Sequence, residues 1–278
     1  MPKSAAADRF ADNVVKRSEY DLVIRTRLMF LLAFLPFLIA LIGLLILKGD
    51  SNIDIIADNL LLISSELCII SFMLFLMSYR TYKHEKRDAE WMDALMDYVE
   101  FKGGDTSRMK AHRDSLHAGF RRVSMYISGG LLGFNILYLV LIGVYLYLHI
   151  DIVSNHMVLL SVVSFILVGV QFIVTSGSTV FLPNHHDKIQ SQFTEELKFA
   201  LGQVGVNVSS MPHTIRKRNI LIHLFLFVIT LGFYIILLLF ESSIKLNRHL
   251  YSQWDYEVDL LSEIMEAEGA SGIGPVSK

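Results

Sequence analysis

Residues 157–181 read MVLLSVVSFILVGVQFIVTSGSTVF, a run without one charged side chain. At a rise of 1.5 Å per residue it is longer than the roughly 30 Å hydrocarbon core of a bilayer. In lipid every backbone N–H and C=O must be satisfied within its own segment, and strand alternation is missing, so the run reads as a spanning α-helix. Four more runs pass the same test: 28–47, with Pro36 as its one expected kink, 60–79, 123–148 and 219–240. The expected fold class is therefore all-α, an integral membrane helical bundle of about five transmembrane helices with cytoplasmic amphipathic helices. Composition points the same way, with 53% hydrophobic residues and a mean hydropathy of +0.47. That is more apolar side chain than a soluble core of this size hides.

Charge distribution sets the expected orientation. The 25 Lys and Arg fall as six before the first run, one between runs one and two, ten between two and three, none between three and four, five between four and five, and three after the last. Basic residues are retained in the cytoplasm, which places the N-terminus and both long loops inside a cell membrane and segments 48–59 and 149–156 outside. Five crossings then put the C-terminal tail outside. The polar segment 1–27 carries charges of both signs, unlike a cleavable leader, so the first run is read as a retained span. A formal net charge of -2 argues against a dedicated nucleic-acid binder. The single cysteine, Cys68, excludes an intrachain disulfide framework.

Both long loops carry helical periodicity. Trp91, Leu95 and Val99 in the first, and Phe193, Leu197 and Leu201 in the second, recur every four residues, and glycines at Gly103-Gly104 and Gly202 to Gly205 are natural helix stops. An offset of 102 superposes His84-Glu85-Lys86 on His186-Asp187-Lys188, Trp91 on Phe193, Leu95 on Leu197 and Gly103 on Gly205. The chain thus reads as a parallel internal repeat of two spans plus one amphipathic helix. Its units are a cytoplasmic segment 1–27, unit one at 28–122 with an amphipathic helix at 84–102, and unit two at 123–218 with an amphipathic helix at 187–204. A partial third copy follows at 219–268, with span 219–240 and a polar helix 242–267, and then a disordered tail, 269–278.

Glu66 sits mid-membrane, where a carboxylate costs about 2.5–3.5 kcal/mol, so it is expected to face the bundle, a partner or water. In the fourth span Ser161, Ser164, Val168, Gln171, Thr175 and Ser178 fall on one face, suited either to close helix packing or to a wet pathway. Asn135 and His223 join either picture, and Gly129 with Gly133 has the spacing for close helix contact. His84-Glu85 and His185-His186-Asp187 recur where spans two and four leave the membrane; imidazole and carboxylate there could ligate a metal, but charges are also ordinary at such positions. No metal site and no cofactor are expected. Arg25, Arg27, Arg121, Arg122, Arg216, Lys217 and Arg218 lie at the cytoplasmic ends of odd-numbered spans, with anionic lipid headgroups as their expected partners. No phosphate loop, nucleophile elbow or catalytic triad is present, so the leaning is away from an enzyme. The first reading is a non-enzymatic scaffold or accessory subunit that forms a homo-oligomer, or joins a membrane-protein partner, through polar span faces. The competing readings are a channel or transporter using Glu66 and the fourth-span face, and a metal-dependent membrane enzyme.

From Arg218 to Leu261, the run Ile229-Thr230-Leu231-Gly232-Phe233-Tyr234, followed by Asn247, His249, Gln253-Trp254 and Glu257, resembles an uncharacterised prokaryotic multi-pass membrane family with a Thr-x-Gly-x-Tyr motif in its last span. The resemblance implies a bacterial or archaeal membrane setting and no particular activity.

Overall fold

The computed structural model describes residues 5–25, 27–28, 31, 35, 55–116, 118–147, 155–213, 215, 219–229 and 234–269. Among them every regular element is helical and no strand occurs. The first expected span lies almost wholly outside the described residues, as do Arg216, Lys217, Arg218, the residues 230–233 of the last-span motif and the tail beyond 269. The helices, in chain order, are α1 (Ala5–Val15), α2 (Arg17–Tyr20), α3 (Ile55–Phe101), α4 (Ser107–Asp114), α5 (Ala118–Tyr147), α6 (Asn155–Ser176), α7 (Leu182–Gln203), α8 (Ile220–Ile229) and α9 (Tyr234–Ala267).

Among the described residues, three helical stretches are long and apolar enough to cross a membrane, within Leu61–Phe101, Ser107–Val144 and Leu159–Gln203. The second expected span and the helix expected after it are one unbroken element, because nothing between Tyr79 and Trp91 stops a helix. At 47 residues α3 is about 70 Å long, more than twice the thickness of a hydrocarbon core, so its C-terminal half projects well past the lipid. A π-turn at Gly177–Phe181 joins α6 to α7 in the same continuous way. The turn precedes Pro183, whose missing N–H cannot serve the carbonyl of Thr179, and widening the helix there accommodates the ring.

The bundle has two cores. In the apolar half Leu67, Met73, Leu74 and Met77 of α3 meet Val168 of α6 and Leu239 of α9. In the projecting half Trp91, Leu95 and Val99 of α3 close on Phe193, Leu197 and Leu201 of α7 and on Tyr256, Leu260 and Ile264 of α9. The Trp91 ring lies 5.8 Å from Phe193 and 6.4 Å from Tyr256. Helix α1 lays Ala7, Phe10 and Val14 on this second core. Both α3 and α7 end on a glycine with φ of +83°, Gly103 and Gly205, a conformation side chains resist. The following N–H of Gly104 or Val206 reaches back to Val99 or Leu201 at 2.9 Å in each case, closing the same helix-ending motif.

Candidate metal centre

Where the projecting helices meet just beyond the apolar half, the interior turns ionic. Asp21, Glu85, Asp88, Asp187 and Glu257 are at most 3% exposed, as are Arg80, Arg87 and Arg121. These, with His84, His186 and His249, are all the buried ionisable Asp, Glu, Arg, Lys and His side chains among the described residues. Such groups are rarely buried unless paired, and the pairs are specific. Arg87 donates to Asp21 at 2.8 Å and pairs with Glu257, while Arg121 pairs with Glu85. Arg80 donates to Asn247. Five carboxyl groups thus share the layer with three guanidiniums.

His84, His186 and His249 stand at the middle of this layer, one each on α3, α7 and α9. Their ring centroids are 5.2, 5.5 and 6.0 Å apart, nearly an equilateral triangle, and every ring pair is steeply inclined. One ligand atom from each lies within 4.8 Å of the other two. Each ring also has a carboxylate on one nitrogen: Asp21 is 2.9 Å from His84 Nδ1, Asp88 is 2.6 Å from His186 Nε2, and Asp187 is 3.0 Å from His249 Nδ1. His84 Nε2, His186 Nδ1 and both ring nitrogens of His249 are buried and make no hydrogen bond, although His84 Nε2 is 3.2 Å from Asp88. Carboxylates that orient imidazoles whose other nitrogen remains free form the usual surroundings of histidine-ligated metals.

The electrostatics divide the roles. Burial would lower the basicity of His84, but Asp88 and Asp21 on either side overcome it and raise the pKa. His186 goes the other way, lowered by a burial that its bond to Asp88 does not offset. Burial would raise Asp21 and Asp88; the adjoining histidines and Arg87 reverse this and hold both below the usual carboxylate range. Glu257 is pushed up to about 7 by burial, which Arg87 only partly counters.

Of the five metal candidates read from the sequence, His84, Glu85, His186 and Asp187 line this layer, whereas His185 is exposed. His249 was not among the metal candidates, although it shares a signature with the other two. His84, Asp88 and Trp91 have the spacing of His186, Gln190 and Phe193 and of His249, Gln253 and Tyr256. Arg121, expected at lipid headgroups, is instead 2% exposed and turned inward to Glu85, because its place on α5 faces α3. Arg122 lies over the ring of Tyr126, and Arg25 and Arg27 are exposed.

The intramembrane candidates are mostly satisfied inside the chain. Gln171 Nε2 donates to Ser128 Oγ at 2.7 Å and to the Ser71 carbonyl at 2.8 Å, and Ser71 Oγ donates back to Gln171 Oε1 at 2.6 Å. Thr175 is 3.1 Å from Ser78, Asn135 accepts from Ser164, and His223 is 2.7 Å from the Tyr234 hydroxyl. Gly129 leaves room for the Phe75 ring, whereas Gly133 meets nothing. Glu66 is half-buried, with no hydrogen-bond or ion-pair partner among the described residues. No known protein family, curated protein or solved structure matches the chain.

Proposed function

We propose that this is a multi-pass membrane protein that binds a divalent transition-metal ion on His84, His186 and His249. The observation that carries the reading is the triangle of buried rings, each within 3.0 Å of a carboxylate and each with at least one nitrogen that makes no hydrogen bond. Imidazole donors suit zinc and its borderline neighbours better than calcium or magnesium. In this reading the N-terminus and the centre are cytoplasmic, the chain crosses about five times, and the centre gathers one histidine from each copy of an internal repeat, the third copy being the partial one. Supporting the repeat are the shared His-to-aromatic spacing and the matched glycine termini of α3 and α7. The fourth-span polar face, hydrogen-bonded into α3 and α5, favours close packing over a solute pathway.

The test is metal content of the full chain purified in mild detergent, stripped with chelator and re-exposed to zinc. One ion per chain is expected for the native protein and for His185→Ala, and a loss of most of it for His249→Ala and His84→Ala. Folded native protein that returns from zinc exposure metal-free refutes the proposal.

A further inference from the structure

A cavity of about 390 Å³ opens beside the ionic layer, between the N-terminal segment, α3 and α9, and Tyr20, Tyr79 and Trp254 line it with Glu19, Leu22 and Lys83. Sites for small ligands usually enclose about 300–1,000 Å³. Tyr79 is the last residue of the apolar run 60–79 and Lys83 stands one turn beyond it, so the cavity lies where hydrocarbon gives way to the headgroup layer. Tyrosine and tryptophan favour that level, with apolar rings toward the chains and polar atoms toward water. Toward the hydrocarbon, Phe72 and Leu76 continue the face of α3 that carries Tyr79 and Lys83, in steps of four, three and four residues, and Phe72 is exposed. An amphiphile whose polar end enters the cavity can therefore lay its chains along this face.

The charges in the lining decide which headgroup fits. Lys83 Nζ is 4.8 Å from the centre of the Tyr20 ring and 5.9 Å from that of Tyr79. Neither its ammonium nor the Glu19 carboxylate has a hydrogen-bond or ion-pair partner among the described residues. Asp21, in the same lining, is already engaged by His84, Arg87 and the Trp254 indole N–H. Arg17 lies 5.5 Å over the Trp254 ring and donates to its carbonyl at 3.3 Å. One cation and one anion that do not pair with each other thus face the same space. They complement a headgroup that carries a phosphate and an ammonium of its own. A purely anionic headgroup would gain Lys83 but meet Glu19, and a trimethylammonium has no N–H to donate to a carboxylate. We propose that the cavity holds the headgroup of a phosphatidylethanolamine-type lipid, its phosphate on Lys83, its primary ammonium on Glu19 and its acyl chains along Leu76 and Phe72. The site rests on the membrane setting of α3 and not on the metal. Because its walls come from the N-terminal segment as well as from α3 and α9, the bound lipid ties residues 19–22 to the bundle.

Native mass spectrometry of the full chain in mild detergent tests this. The probes are phosphatidylethanolamine, phosphatidylglycerol and phosphatidylcholine with the same acyl chains, and glycerophosphoethanolamine, the soluble headgroup. The native chain is expected to bind one phosphatidylethanolamine about 10-fold more tightly than either other lipid, the ratio that one charge-assisted hydrogen bond supplies, and to bind the soluble headgroup more weakly still. Lys83→Gln should weaken phosphatidylethanolamine binding about 10-fold, and Glu19→Gln should abolish its advantage over phosphatidylglycerol. Equal binding of the three lipids by the native chain overturns the proposal without any variant having to fold. A Lys83→Gln chain that binds like native, or a Glu19→Gln chain that still prefers phosphatidylethanolamine, overturns it as well. Soluble headgroup bound as tightly as the lipid makes this a site for free phosphate esters and overturns the lipid assignment. Native protein that stays in solution without detergent overturns the membrane setting itself and this site with it.

Discussion

The Glu85–Arg121 pair offers the sharpest test of how the ionic layer is held. It joins α3 to α5 with both side chains at most 2% exposed, and Arg121 also donates to the Thr81 carbonyl at 3.3 Å. Replacing Arg121 by Met keeps most of the volume but strands a buried carboxylate, a loss of about 3–5 kcal/mol for pairs of this kind. At roughly 2–4 °C per kcal/mol for domains of this size, the melting temperature in detergent should fall on the order of 10 °C. Because the pair is internally neutral, the double variant Glu85→Leu with Arg121→Met removes both charges and leaves the balance of the remaining layer unaltered. It should recover to within about 1 kcal/mol of native, since apolar replacement of a whole buried pair is often neutral or better. The double variant, read by thermal unfolding with tryptophan fluorescence, is thus expected to regain about 3 kcal/mol over Arg121→Met. A single variant that melts like native would refute the reasoning, as would a double variant no better than the single.

Two more outcomes follow from named contacts. Glu257 has a folded-state pKa raised to about 7 from 4.5, so the stability its protonated form confers is present below about pH 4.5 and lost as pH rises through about 7. Glu257→Gln should flatten that part of the pH–stability curve, and parallel curves for the two proteins between pH 4.5 and 7.5 would contradict the assignment. In the apolar half, Gln171→Leu removes the hydrogen bonds to Ser71 and Ser128 and should lower stability by about 1–2 kcal/mol. Chemical unfolding in mixed micelles measures it, and an unchanged midpoint would mean those serines find other partners.

The apolar runs determined the helices and their membrane setting without help from the tertiary structure, because length and the absence of charge leave backbone satisfaction in lipid no other solution. The helix ends at Gly103 and Gly205 were legible for a similarly local reason, as only glycine takes their backbone conformation cheaply. The four-residue recurrence of Trp91, Leu95 and Val99 likewise announced a face to be buried. What lay against that face was not legible. Arg121 and Arg122 are neighbours in sequence with the same chemistry, yet one is buried on Glu85 and the other lies over Tyr126, because a step of about 100° around α5 turns one toward α3 and the other away. His249 is the larger case. It stands 63 residues after His186 without the acidic neighbour that made His84-Glu85 and His186-Asp187 look alike. Periodicity assigns each histidine to a face of its own helix, but whether three faces meet depends on how α3, α7 and α9 cross. That crossing is set by the packing of Trp91, Phe193 and Tyr256 one layer above. Convergence of side chains from three helices is a property of the packed bundle, so the tertiary structure alone brought the three rings to one point.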